Sequence, residues 1–212
     1  KRKWHDRALI DPLTSLPNLR EFELYLKEHE RATVCCLRID NLEFLSRHYG
    51  MMMRIYCKRI ITRNLQPLLG HDEKLFQIPG NELLLVLTGP ETEARLTHIV
   101  KFLNNHRISW NNHVLDLEFG ASWGIIDGKE EHQLHHTLGQ LSWLSEQACS
   151  SHQVLALDSR EEAISGFTTD RVLMLNRVKR ALAYGGIILY TQPIVDKEGK
   201  GYYEILSRLQ CD

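Results

Sequence analysis

The chain has 212 residues, of which 43% are hydrophobic and 25% charged, and its formal net charge is −1. That length holds one ordinary domain with an appendage or two small domains, with enough buried surface to need no disulfide or metal staple. The near-neutral charge excludes a general pull toward nucleic acid, so DNA is not an expected partner, and no apolar run is long enough to cross a bilayer or reads as a signal peptide.

Residues 1–10 read as a lead-in helix from an upstream region. Asp11-Pro12-Leu13-Thr14-Ser15-Leu16-Pro17-Asn18 is a turn cluster, because Pro fixes φ and Asp, Thr and Asn bond to nearby backbone. Asn18 is placed to cap a helix over 19–30. The apolar run from Ala32 to Ile39 predicts a buried strand with Asp40 at its carboxyl end. A short helix follows over 41–49 and stops at Gly50. A longer one covers 52–69; its cations Arg54, Lys58, Arg59 and Arg63 read as a solvated face, since the aromatic interleaving of a nucleic-acid stripe is missing. Residues 74–88 read as strand, tight turn, strand, with Gly80-Asn81-Glu82 at the tip. Residues 91–105 are helical, 108–110 and 114–126 are strands around an Asn111-Asn112 turn, 130–150 is a helix and 153–157 a last strand. Mixed strands and helices in this order predict an α/β (α+β) sandwich.

The polar stretch 158–169 reads as a linker, after which the pattern restarts. A helix over about 170–184 ends at Gly185-Gly186, and strands over 187–195 and 202–209 flank a polar turn. Two strands and a helix cannot bury a core of their own. The first residues, Lys1-Arg2-Lys3-Trp4, fall inside a helix-like pattern, and the last follow a strand directly, so the chain reads as a piece of a longer protein.

Cys35, Cys36, Cys57, Cys149 and Cys211 make an odd count with no C-x-x-C pair, which fits a reducing compartment; Cys35-Cys36 lies in an apolar run and reads as core packing. His132, His135 and His136 cluster on a helical stretch without a second ligand pair, so a solvated face is preferred to a zinc site.

Four segments in order resemble the GGDEF (diguanylate cyclase) family. Residues 11–18 are similar to its D-x-L-T-x-L-P-N opening motif. Ile39-Asp40 followed by Tyr49-Gly50 resembles its first strand and the N-D-x-x-G element. Ile78-Pro79-Gly80-Asn81-Glu82-Leu83 stands where the signature stands, and Phe119-Gly120-Ala121-Ser122-Trp123-Gly124-Ile125 resembles a later S-x-G-x-A strand. The resemblance spans 6–157 and implies a cyclase-palm, ferredoxin-like fold with a central five-stranded mixed sheet flanked by helices. It implies a domain over 11–157 whose ancestral chemistry joins two GTP molecules into cyclic di-GMP across a dimer. That chemistry uses carboxylates to hold Mg²⁺ against triphosphate oxygens. Aligned on Tyr49-Gly50, the first-strand D-x-D becomes Arg38-Ile39-Asp40, a cation where a dication should sit. In the signature, Pro79 replaces Gly, Asn81 replaces the metal carboxylate and Leu83 replaces the aromatic, while Asp40, Gly80 and Glu82 are remnants. Asp40 and Glu82 are read as ordinary loop carboxylates at strand ends. The guanine-binding positions fall at Ser46 and Ile55, and the inhibitory R-x-x-D stretch reads Gly70-His71-Asp72-Glu73. No cyclase catalysis, no product inhibition and no cofactor are expected of this domain. GTP binding and homodimerisation stay open.

Tyr190-Thr191-Gln192-Pro193-Ile194-Val195 and Tyr203-Glu204-Ile205-Leu206-Ser207-Arg208 resemble the Q-P-I and E-A-L-x-R opening of EAL phosphodiesterase domains. Residues 170–212 would then begin a (β/α)8 barrel, a fold of roughly 250 residues. By this resemblance Glu204 is a metal ligand, Gln192, Leu206 and Arg208 contact cyclic di-GMP, and the whole domain uses Mg²⁺ or Mn²⁺. The combined expectation is a silent regulatory domain that relays an upstream sensor to a cyclic di-GMP phosphodiesterase. It would lie on the cytoplasmic side of an inner-membrane-anchored bacterial protein. Two alternatives stay open: a wholly non-enzymatic adaptor acting through protein or RNA contacts, and an active cyclase with unusual ligands.

Overall fold

Alternation along one strand sets the architecture. In β1 (Arg31–Ile39) Cys35, Leu37 and Ile39 point to one face and Val34 and Cys36 to the other, and all five are at most 1% exposed. A strand buried on both faces needs a helical layer on each. The computed structural model describes residues 9–128, 131–151, 153–157, 162–195, 197 and 199–209. They divide into two compact units, residues 1–158 and 159–212.

In the first unit, α1 (Leu19–Glu28) precedes β1; α2 (Leu42–Tyr49) and α3 (Met51–Leu65) follow it. A 3₁₀ turn (Gln66–Leu68) leads to the hairpin of β2 (Lys74–Gln77) and β3 (Glu82–Leu87), then α4 (Thr92–Asn104). A small hairpin, β4 (Ile108–Trp110) with β5 (His113–Leu115), precedes β6 (Phe119–Asp127), α5 (Glu131–Ser151) and β7 (Leu155–Ala156). The main sheet has the order β2-β3-β1-β6-β7; every pair is antiparallel except β6–β7, which gives the expected five-stranded mixed sheet.

One core layer joins the Cys35 face to Leu42 of α2, Met53, Cys57 and Ile61 of α3, and Leu96 and Ile99 of α4. The opposite layer joins the Val34 face to Phe22, Tyr25 and Leu26 of α1 and Leu141 of α5. Burying this many apolar side chains is the main force that closes the unit. Helix α5 approaches β6 closely at Gly120, where an added Cβ would lie 2.5 Å from the Cys149 backbone nitrogen. The cysteines Cys35, Cys36 and Cys57 are buried and free, and Cys149 is half-buried and free; burial pushes the Cys35 and Cys149 thiols up to about 12 and the Cys57 thiol up to about 11. Such thiols are inert packing groups rather than nucleophiles. Cys211 lies outside the described residues.

Several expectations are corrected. The strand placed over 114–126 is two strands, because Asp116–Glu118 breaks off to let β5 close the small hairpin before β6 enters the sheet. Of the lead-in helix over 1–10, residues 1–8 lie outside the described residues, and Ile10 forms an isolated bridge to Pro17 instead. Of the linker over 158–169, residues 158–161 lie outside the described residues, and the remainder is helical, since α6 (Glu162–Tyr184) begins eight residues before the predicted start. The Ser165-Gly166 pair that suggested a loop is tolerated inside this long helix at a modest propensity cost.

In the second unit, α6 packs on the hairpin of β8 (Ile187–Val195) and β9 (Gly201–Leu209). The hairpin register is regular from Ile187↔Leu209 to Val195↔Gly201. Among its described residues Leu189, Val195, Tyr202, Tyr203 and Ile205 are exposed, so this unit leaves much apolar surface uncovered.

Candidate functional site

The signature hairpin turns over Ile78-Pro79-Gly80-Asn81, between β2 and β3. Gly80 adopts φ +90°, a left-handed conformation that side-chain-bearing residues rarely take. The tip is held from two sides. Ile39 N–H donates to the Asn81 carbonyl at 2.8 Å, and Lys58 Nζ donates to the Gly80 carbonyl at 2.6 Å.

Residues 38 and 82 are directly opposite across β1 and β3 and share the face that meets α5. Arg38 Nη1 donates to Glu82 Oε1 at 3.0 Å, and Arg38 Nε donates to Asp40 Oδ1 at 3.1 Å. Glu146 of α5 reaches the guanidinium at 4.0 Å, and Ser142 Oγ donates to Glu82 Oε1 at 2.7 Å. Burial works against the charge of Arg38, but the Asp40 and Glu82 carboxylates outweigh it and raise its pKa above the ordinary value. Arg38 therefore ties together the carboxylates that remain at this end of the sheet. Glu82 is not the loop carboxylate expected from sequence; it is 8% exposed, inside β3, and paired. A divalent cation does not fit this donor set, because the guanidinium occupies the oxygens that would face it. Asn81 adds only an amide, whose buried Oδ1 has no partner among the described residues.

Beside the tip opens a cleft of about 700 Å³. The turn 11–18 forms one wall. Asp11 Oδ2 accepts from Thr14 N and Oγ1 at 2.7 and 2.6 Å, and Asn18 Oδ1 caps α1 through Arg20 N and Glu21 N at 3.0 and 3.2 Å, as expected. Helix α3 forms the other wall with Met51, Arg54, Ile55 and Lys58. The solvated face predicted for α3 is overturned at Arg54 and Lys58. Arg54 pairs with Glu43 at 3.3 Å and its side chain is 16% exposed, Lys58 is bound to the hairpin tip, and Arg59 Nε donates to the Leu13 carbonyl at 2.5 Å. Arg59 and Arg63 are both exposed and keep the solvated role. Burial, with help from Arg54, pushes the Lys58 ammonium down to about 8, although Asp11 and Glu82 pull the other way. Of the two predicted guanine positions, Ile55 lines this cleft, whereas Ser46 lies on α2 and donates to the Glu43 carbonyl at 2.9 Å. Lys58, Ser142 and Glu146 were missed in the sequence. Only the unusual density of cations on α3 hinted at the first, and nothing local marked the other two.

The stretch set against the inhibitory motif has a structural role. Glu73 accepts from Gly70 N at 2.7 Å, Thr88 N at 3.0 Å and Arg95, whose Nη2 lies 2.8 Å from Oε2. Burial opposes the charge of Glu73, but Arg95 and the two backbone N–H groups outweigh it and hold the carboxyl at about 2.

In the second unit the register places Gln192 opposite Glu204, Tyr190 opposite Leu206 and Ile188 opposite Arg208. Residues two apart on a strand share a face, so Gln192, Glu204, Leu206 and Arg208 lie together on one side of the hairpin. The Arg208 guanidinium sits 5.7 Å from the Tyr190 ring centroid. His135 and His136 join no metal-binding group among the described residues, and the His132 side chain lies outside them. No helix among them is long and apolar enough to cross a membrane.

The chain is 58% identical over 211 residues to the Escherichia coli (strain K12) protein named Probable cyclic di-GMP phosphodiesterase PdeA, covering 100% of this chain and 29% of that protein. It is 30% identical over 204 residues to Cyclic di-GMP phosphodiesterase PdeF of the same organism, covering 96% of this chain and 27% of that one. The chain thus spans less than a third of the length of these curated relatives. The crystal structure of a diguanylate cyclase/phosphodiesterase from Caldicellulosiruptor saccharolyticus superimposes with a TM-score of 0.61 at 15% identity, covering 72% of this chain and 96% of that one. The family described as diguanylate cyclase, GGDEF domain, matches residues 8–150. With the mixed sheet, the hairpin tip and the opening turn in the family's order, the chain belongs to the GGDEF family.

Proposed function

We propose that residues 11–157 form a catalytically silent, regulatory GGDEF domain of a cyclic di-GMP signalling protein. The observation that supports this most is the Arg38 bridge to Asp40 and Glu82, 3.1 and 3.0 Å long, where cyclase chemistry needs a divalent cation. Phosphoryl transfer between two GTP molecules depends on that cation to stabilise the transition-state charge. A fixed guanidinium on the protein's own carboxylates supplies no open coordination position for a triphosphate.

The names of the relatives support a whole protein that is a phosphodiesterase, in which residues 170–212 begin an EAL domain. On this reading Glu204 gives one carboxylate to a Mg²⁺ or Mn²⁺ site, and Gln192, Leu206 and Arg208 contact cyclic di-GMP. The metal would activate water to open one phosphodiester bond and leave linear pGpG. Their shared face on the β8–β9 hairpin suits these roles; Glu204 alone does not make a metal site, so further ligands must come from other residues. The GGDEF domain would relay a signal from an upstream sensor, as a dimer or through a bound nucleotide, beneath a membrane anchor.

Incubation of the protein with GTP and Mg²⁺ or Mn²⁺, followed by chromatography, tests the silent reading: no cyclic di-GMP is expected, and its accumulation would overturn it. In the full-length protein, Glu204→Gln is expected to abolish conversion of cyclic di-GMP to pGpG. A full-length wild type without hydrolysis would instead favour the adaptor.

A further inference from the structure

We infer that Lys58 is a site of Nε-acylation by small acyl phosphates, a modification that removes the charge from the side chain holding the signature hairpin tip. The inference is independent of the silent reading, since it needs neither GTP nor a metal.

The geometry comes first. Lys58 is half-buried in the wall of the cleft of about 700 Å³, and its Nζ donates to the neutral Gly80 carbonyl at 2.6 Å. A carbonyl takes a proton from the nitrogen and leaves the lone pair of the amine uncommitted. The surrounding charges favour that amine. Burial, together with Arg54 one turn earlier on the same helix face, pushes the ammonium down to about 8. Asp11 of the opening turn and Glu82 of β3 pull the other way without restoring ordinary basicity. Glu43 of α2 pairs with Arg54 at 3.3 Å, and α1 lines the cleft with one charge of each sign, Arg20 and Glu23. Near pH 8 about half of the side chain is amine, on the order of a hundredfold more than for an exposed lysine of ordinary basicity. Burial beside a second cation is the setting that activates lysine as a nucleophile.

The rest of the lining sets the acyl group. Leu13, Met51, Ile55, Ile78 and Pro79 share the cleft and give a short aliphatic chain an apolar surface to lie on. The step balances without a cofactor. The ammonium first releases a proton to water. The amine nitrogen then attacks the carbonyl carbon of the acyl phosphate and a C–N bond forms. The C–O bond to phosphorus's oxygen breaks, and phosphate leaves with the electron pair. The second proton leaves with it as hydrogen phosphate, and nothing is oxidised or reduced. The resulting amide keeps one N–H for the Gly80 carbonyl but carries no charge, which changes the electrostatics of the tip.

The test incubates the full chain with acetyl phosphate from about pH 7 to about pH 10 and reads initial acetylation rates residue by residue by mass spectrometry. At about pH 8 Lys58 is expected to react about tenfold faster than the exposed Lys101 of α4, since lower nucleophilicity offsets part of the gain in amine. Its rate should level off above about pH 9, whereas a lysine of ordinary basicity keeps climbing. In Arg54→Gln the loss of the neighbouring charge should slow Lys58 about threefold at about pH 8 and leave Lys101 unchanged. The wild-type profile needs no variant to fold. Lys58 reacting no faster than Lys101, a Lys58 rate that climbs without levelling off, or an R54Q rate at or above the wild type would each overturn the inference. None of these outcomes bears on whether the domain makes cyclic di-GMP, so this failure and that of the silent reading are separable.

Discussion

Glu73 with Arg95 and Glu82 with Arg38 are the same chemical pair in two settings, near opposite ends of β3. The Glu73 side chain is 1% exposed, and two backbone N–H groups complete its hydrogen bonds. Glu82 lies in the stretch that resembles the family signature, its side chain is 10% exposed, and its partner Arg38, 21% exposed, is shared among Asp40, Glu82 and Glu146. The first pair is a staple between β2, β3 and α4 whose carboxylate is sealed while its Arg95 side chain is 36% exposed. The second is a charged cap in which three carboxylates share one guanidinium. A buried, completely satisfied carboxylate makes an ion pair structural; a cation shared among several carboxylates leaves it replaceable.

The largest expected effect falls on the sealed carboxylate. Arg95→Ala leaves a buried carboxylate without its cation and should cost about 3–5 kcal/mol in urea denaturation. Loss of less than 1 kcal/mol would show that Glu73 is held by the backbone alone. Arg38→Ala leaves the less deeply buried Glu82, which keeps its Ser142 hydrogen bond, and should cost less, about 1.5–3 kcal/mol, with no gain of cyclase activity. If R38A proved the more damaging of the two, the distinction between staple and cap would fail. Acid titration sharpens it further. The folded-state pKa of Glu73 is depressed to about 2, below its unfolded value, so its contribution is present above that unfolded value and disappears as pH falls toward 2. Wild-type stability should therefore fall more steeply over that interval than that of Glu73→Gln, measured by urea midpoints at successive pH values. The smallest effect is expected at the opening turn, where Asn18→Ala removes the cap of α1 and should cost about 1 kcal/mol.

The local features of the fold were readable in the residues. Alternation and apolar runs gave the sheet strands, and Asn18 announced its cap, because these depend on neighbours in sequence. The 114–126 run was not readable as two strands, since its apolar alternation continues through Asp116 and only the pairing of β5 with β4 interrupts it. The start of α6 was missed because Ser165 and Gly166 carry a loop signal that the helix overrides. At the candidate site, sequence placed Arg38 where a metal ligand was expected. It misjudged Glu82, Arg54 and Lys58, whose surroundings come from other segments of the chain.

What the sequence by itself determined was the family pattern, the strand alternation and the substitutions Arg38, Pro79 and Asn81, all of which are matters of order and residue type. Tertiary structure alone decided that Arg38 spends its charge on Asp40 and Glu82, that Ser142 and Glu146 arrive from α5 to complete that cluster, and that Lys58 meets the Gly80 carbonyl. The reason is physical: a charge's partners are set by distance and burial in space, and residues 38, 82 and 146 become neighbours only when the sheet and α5 close over one core.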